Sequence, residues 1–158
     1  MDSFEFVMSG YDTSADWTAT NTGHGIKLEL ANPDTDILTV SGGDLPGTYV
    51  LAQFHFHWGS DVAGGSEHLV DGERHFAEIH LVHYKQEYGS LGASVDESDG
   101  LAVLAFFVDV DGGHTLDYGL DNILQENVDK KLLELESTHA FKYAVSDILP
   151  PSFDNYYR

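Results

Sequence analysis

Gln53-Phe54-His55-Phe56-His57-Trp58-Gly59 decides the reading of this chain. Aromatic and polar residues alternate along it, which favours a pleated strand. Side chains on a strand alternate between faces, so Gln53, His55 and His57 share one face. Phe54, Phe56 and Trp58 are expected to point the other way, into a core. A second run, Ala77-Glu78-Ile79-His80-Leu81-Val82-His83, alternates in the same manner. Glu78, His80 and Val82 fall on one face, and Ile79 and Leu81 on the other. If the two strands are antiparallel neighbours, the imidazoles of His55, His57 and His80 converge. Three imidazoles and a water make a four-coordinate zinc site with one open position, which is the catalytic arrangement and not the closed structural one.

The neighbours of these histidines sharpen the pattern. Gln53 lies two residues before His55, and Glu78 two before His80, each on its ligand's face. A zinc-bound imidazole usually gives its other N–H to such a group, which fixes tautomer and ring orientation. H-x-H alone is common. H-x-H with a Gln in front, followed by E-x-H on a second strand-like run, is much rarer.

The runs QFHFHWG, GSEHLVDGERHFAEIHLVHYK and DGLAVLAFF resemble the α-class carbonic anhydrases. The resemblance extends from Gly23 to Arg158 and is densest from Gly47 to Val110. It implies Zn²⁺ on His55, His57 and His80. It also implies reversible hydration of carbon dioxide to bicarbonate and a proton, by attack of zinc-bound hydroxide. The implied fold is mainly β (α+β): a central twisted, mostly antiparallel sheet with a few surface helices, here incomplete. By the same resemblance His24 matches the proton shuttle, and Val82 and Val103 match walls of the apolar carbon dioxide pocket. Glu67 matches an acid that accepts a hydrogen bond from a hydroxide-orienting threonine, and His68 a structural histidine. Without the resemblance, His24 reads as an exposed turn residue and the two valines as ordinary core.

Length and composition bound the rest. The 158 residues suffice for one domain with a core, taken here as a single carbonic-anhydrase-like domain over 1–158. There is no cysteine, hence no disulfide and no thiolate metal site. A net charge of −20 opposes nucleic-acid binding, which needs a basic footprint. A solvated acidic surface is the plain reading of that charge. Adaptation to high salt and loose Ca²⁺ attraction are the sharper ones, but no EF-hand loop is present. No run of 18 apolar residues exists, so no membrane span is expected. Met1 to Glu5 has no basic or apolar leader region, which reads as no signal peptide and as a soluble, cytoplasmic chain, with a secreted parent left open.

Along the chain, short strands are expected at Phe4–Met8, Ile26–Leu30 and Ile37–Val40, with turns at Ser9-Gly10 and Asn32-Pro33-Asp34. Met1 to Thr22 otherwise carries little signal. Ser41 to Asp44, Ser60 to Gly65 and Ser90 to Gly100 read as loops. Leu101 to Val110 is almost wholly apolar and reads as a strand buried on both faces. Leu120, Ile123, Leu124, Val128, Leu132 and Leu135 predict one amphipathic helix over Asp117–Glu136. His83 faces away from the metal and is expected to be buried and hydrogen-bonded. His75, His114 and His139 read as surface histidines. By the resemblance, Asn21 helps hold ordered water near His24, and Lys27, where the family often has a polar residue, alters that water network.

The family's domain is considerably longer than this chain, so a chain truncated at both ends is expected. The threonine that would partner Glu67 lies in the family's C-terminal part, so metal binding is expected to survive better than turnover. An incomplete sheet would leave edges open to pairing between molecules. Two other readings stand beside the enzyme: a carbonic-anhydrase-like binding module without catalysis, and an acidic matrix protein of biomineralisation. The partner expected of the enzyme is the small-molecule pair of carbon dioxide and bicarbonate.

Overall fold

The structure is a computed structural model that describes residues 5–35, 37–59, 64–109 and 138–149. Ten strands form among them: β1 (Phe6–Ser9), β2 (Ala15–Asn21), β3 (Ile26–Leu30), β4 (Thr39–Gly42), β5 (Tyr49–Trp58), β6 (Leu69–Val70), β7 (Glu73–Arg74), β8 (Ala77–Lys85), β9 (Leu101–Val108) and β10 (Thr138–Tyr143). Eight of them build one antiparallel sheet, and β6 and β7 make a separate hairpin. This is the mainly β architecture expected from the sequence. The helix expected over Asp117–Glu136, and His114, lie outside the described residues.

The sheet is organised around β5. One of its edges pairs with β8 over nearly its whole length, and β8 pairs in turn with β9. The other edge is shared. Tyr49 and Val50 pair with β4, while Gln53 to His55 pair with β3. β2 and then β10 extend the sheet beyond β3. The alternation of Ile26, Leu28 and Leu30 produces β3, whose three apolar residues are all buried.

A bulge inside β5 sets which side chains face the metal site. Leu51 pairs with His83, but Gln53 pairs with Val82, so Ala52 is the extra residue. Cross-strand partners share a face. Without the bulge, Leu51 and Gln53 would lie on the same side. With it, Leu51 stays in the core, while Gln53, His55 and His57 turn to the opposite face.

The main core lies on the face away from the histidine cluster. Trp17, Leu28, Phe54, Ile79 and Leu81 are fully buried there. Trp17 meets Phe54 edge-on at 4.9 Å and donates its indole N–H to the Tyr143 carbonyl at 3.1 Å. A smaller cluster gathers Val40, Tyr49 and Ala102 at the other end. Asp99 ties that end to the loop at 86–100. It binds Lys85 Nζ at 2.6 Å, accepts from Tyr88 O–H at 2.8 Å, and its carbonyl accepts from Tyr49 O–H at 2.7 Å.

Several expectations need correction. Trp58 is not core: it is the last residue of β5 and is 51% exposed. β9 is not buried on both faces. Its Ala102 and Val108 face the core, whereas Leu101, Val103 and Phe107 are substantially exposed on the metal-site face. Ser41 and Gly42 belong to β4, not to a loop. The stretch 90–100 contains one helical turn, α1 (Leu91–Ser94), capped by the Ser90 side chain accepting from the Ala93 N–H. Thr22 and earlier residues hold all of β2, which the sequence left unread.

His83 is fully buried, as expected. Its Nδ1–H donates to the Ala102 carbonyl at 3.1 Å, and its Nε2 accepts from the Tyr11 hydroxyl at 2.5 Å. Burial holds its imidazole down at about 4, against partial support from the Ala102 and Leu81 backbone. In the unfolded chain the same ring titrates near 6.5. Between these values the unfolded state binds a proton that the folded state refuses. The stability tied to neutral His83 is therefore full above about pH 6.5 and is lost as pH falls towards 4, up to about 3 kcal/mol. Urea unfolding at several pH values should show this slope in the wild type and a shallower one in His83→Gln. Equal slopes would remove His83 as its source.

Candidate metal centre

The β5–β8 register places His55 opposite His80 and His57 opposite Glu78. All four, with Gln53 and Val82, therefore share one face. Ring centroids of His55, His57 and His80 lie 4.5 to 5.3 Å apart. One nitrogen from each of the three lies within 4.8 Å of the others.

Hydrogen bonds engage one ring nitrogen of His55 and one of His80. The Gln53 carbonyl oxygen accepts from His55 Nδ1–H at 2.9 Å, so His55 Nε2 keeps its lone pair. Glu78 Oε1 accepts from His80 Nε2–H at 2.7 Å, so His80 Nδ1 keeps its own. His57 Nε2 is buried and has no hydrogen-bond partner among the described residues. An orphaned buried polar atom is costly unless something occupies it. Three clustered imidazoles, one of which carries an orphaned nitrogen, fit a divalent ion of the zinc type.

Glu78 anchors this arrangement. Its carboxylate is fully buried yet accepts three hydrogen bonds: from His80 Nε2, from His68 Nδ1 at 2.6 Å, and from the His68 backbone N–H at 2.9 Å. Burial alone would push its carboxyl up. The His68 backbone N–H and the two rings outweigh that and hold it down at about 2. His68, Glu78 and His80 also form a second group close enough for a metal, but their mutual hydrogen bonds already use its facing atoms. Burial, then the neighbouring His57 and His80 rings, push the His55 imidazole below its ordinary value.

The loop before β6 is drawn against the end of β5 by close backbone approach. A Cβ on Gly59 would sit 2.0 Å from the Gly64 carbonyl oxygen, and a Cβ on Gly65 2.0 Å from Gly59 N. Only glycine fits either place. This brings Glu67 beside the cluster, with Oε1 3.5 Å from His57 Nδ1 and Oε2 3.8 Å from His80 Nδ1.

Other residues singled out in the sequence are placed as follows. His24 stands exposed in the turn between β2 and β3, outside both metal-capable groups. That turn closes through Thr22, whose N–H and hydroxyl both donate to the Gly25 carbonyl at 2.9 Å, and the Asn21 side chain accepts from Gly23 N–H at 2.9 Å. Gly25 lies against the Phe56 carbonyl and the Trp58 ring, so the turn sits at the His57 end of β5. Lys27 pairs with His55 across the strands and makes an ion pair with Glu29 at 3.0 Å. Val82 and Val103 are cross-strand partners on the metal face, and Val103 is 49% exposed. His75 is not an unpartnered surface histidine. Its Nδ1–H donates to Asp109 at 2.7 Å and its ring stacks on Phe107 at 4.2 Å.

The sequence did not reveal the His68–Glu78 link, which joins a loop to a strand ten residues later. The β6–β7 hairpin did carry a signal. Asp71-Gly72 is a two-residue hairpin turn, and both residues have positive φ, 54° and 87°.

The family model for eukaryotic-type carbonic anhydrase matches residues 1–158. The chain is 39% identical over 157 residues to carbonic anhydrase 6 of Homo sapiens, covering 95% of this chain and 47% of that protein. It is 37% identical over 157 residues to carbonic anhydrase 6 of Bos taurus, covering 95% of this chain and 46% of that one. The chain thus spans about half the length of these relatives. The family model matched over the whole chain and these identities show that the chain belongs to the eukaryotic-type carbonic anhydrases.

Proposed function

We propose that this chain binds Zn²⁺ through His55 Nε2, His57 Nε2 and His80 Nδ1 and supports the reversible hydration of carbon dioxide. The observation that carries the reading is the orphaned, buried His57 Nε2 beside two rings whose outer N–H groups are already engaged. Zinc held there supplies the Lewis acidity that lets water lose a proton near neutral pH.

The chain's own residues do the rest. Gln53 and Glu78 hold the tautomers of His55 and His80, so both rings present a lone pair without rearranging. Val82 and Val103 give a nonpolar substrate an apolar wall beside the cluster. His24 stands exposed in the turn at the His57 end of β5, where an imidazole can pass a proton outward. Glu67 offers a carboxylate oxygen at the rim, able to accept a hydrogen bond from the attacking nucleophile or from a group that orients it.

Stopped-flow carbon dioxide hydration tests the proposal. The expected result is a rate above buffer with one equivalent of zinc, lost on chelation and regained on adding zinc. Stoichiometric zinc binding with no rate above buffer would leave a metal-binding module and overturn the catalytic reading.

A further inference from the structure

The His80 ring is turned by its bond to Glu78, and Glu78 is held in turn by His68. His68 comes from the loop before β6, so that loop must itself be fixed against the sheet. His75 grips it by the backbone. The His75 N–H donates to the Ser66 hydroxyl at 2.9 Å. The His75 carbonyl accepts from Gly65 N–H at 2.9 Å and from Ser66 N–H at 3.2 Å. Ser66 is fully buried and passes the restraint on, its hydroxyl donating to the His68 carbonyl at 2.7 Å.

The side chain of His75 reaches the other way, to the end of β9. Its Nδ1–H donates to Asp109 Oδ2 at 2.7 Å, and the next N–H, that of Phe76, donates to Asp109 Oδ1 at 3.4 Å. The ring also stacks on Phe107 at 4.2 Å. Phe107 is the cross-strand partner of Glu78, so the stack lies on the metal-site face, one strand away from that carboxylate. An unbroken run of hydrogen bonds thus leads from Asp109 through His75, Ser66, His68 and Glu78 to His80.

We infer that His75 is a positioning residue for the metal centre. By latching the loop at 64–68 to the end of β9, its side chain sets where His68 meets Glu78, and through Glu78 how the His80 ring is turned. The inference rests on the three-histidine zinc site proposed above. A group bonded directly to a ligand is worth 10- to 100-fold in metal affinity. His75 acts from further out, so its effect should be smaller, about three- to tenfold.

Two variants undo the latch from opposite sides. His75→Phe keeps a ring over Phe107 and loses the donor. Asp109→Ala removes the acceptor at a side chain that is 63% exposed, where the fold should tolerate it. In each, chelator competition on the full chain should show zinc affinity about three- to tenfold below wild type. Nitrogen-edited NMR should show the His68 Nδ1–H held on Glu78 in the wild type and exchanging faster with solvent in both variants. The two changes together should cost no more than either alone, since they break one contact. His75→Gln should restore both readouts, because its amide N–H can donate to the same carboxylate. A plain packing role would lower urea stability and move neither readout, and that result would overturn the inference. Failure of the zinc site shows separately, as a wild type that takes up no stoichiometric zinc. The metal-free NMR comparison then still decides the latch: faster exchange of the His68 proton in the variants upholds it, and unchanged exchange overturns it.

Discussion

His80→Ala should weaken zinc binding by roughly a hundredfold or more. Protein zinc sites with four ligands are worth about 10–16 kcal/mol near neutral pH, so one ligand carries about 3 kcal/mol, and 1.4 kcal/mol is tenfold. His80 should stand above that share, because its loss damages a second interaction. Glu78 is buried and ionised on the strength of three donors, and the His80 ring is one of them. Removing the ring leaves an ionised buried carboxylate with a vacated lone pair, a costly state. The apo form should therefore lose stability as well as affinity. Chelator competition and urea unfolding measure the two effects separately. A variant within threefold of wild-type zinc affinity would mean that the metal is held elsewhere.

Trp17→Ala should cost about 3–5 kcal/mol of stability, which is a large share of the 5–15 kcal/mol that holds a typical domain together. Trp17 is fully buried, packs edge-on against Phe54, and satisfies the Tyr143 carbonyl through its indole N–H. It sits on β2, which joins β3 to β10. Its removal opens a cavity beneath β5, directly behind the strand that presents His55. Trp17→Phe should fall between, since it fills most of the volume but removes the indole donation to the Tyr143 carbonyl. Urea or thermal unfolding gives the numbers, and a loss under 1 kcal/mol for Trp17→Ala would show that this core tolerates large voids.

What was legible in the sequence, and what was not, follows from the range of each signal. β3, β5 and β8 could be read because large apolar side chains alternate with polar ones, and both periods are local. The convergence of His55, His57 and His80 followed from two such phases and one assumption of adjacency. β2 was missed although it alternates, since its inward residues Ala15 and Ala19 flank a single Trp17 and carry little apolar weight. Its strand character comes from pairing on both edges, one of them with residues 138–143, far along the chain. β9 misled for the opposite reason. Apolar residues occupy both of its faces, and composition cannot say which face finds a neighbour. The His68–Glu78 bond and the approach of Glu67 to His57 depend on where a glycine-bearing loop folds back, which no period in the sequence records.

The extra residue at Ala52 has a consequence for how this protein can tolerate change. It works as a phase break: Tyr49 and Leu51 before it pack into the two core clusters, while Gln53, His55 and His57 after it face the histidine site. Drift in the even-odd pattern of the first half can be absorbed at that joint before it reaches the second. Length changes between β4 and Ala52 are thus buffered from the chemistry, whereas the three residues from His55 to His57 have no comparable slack.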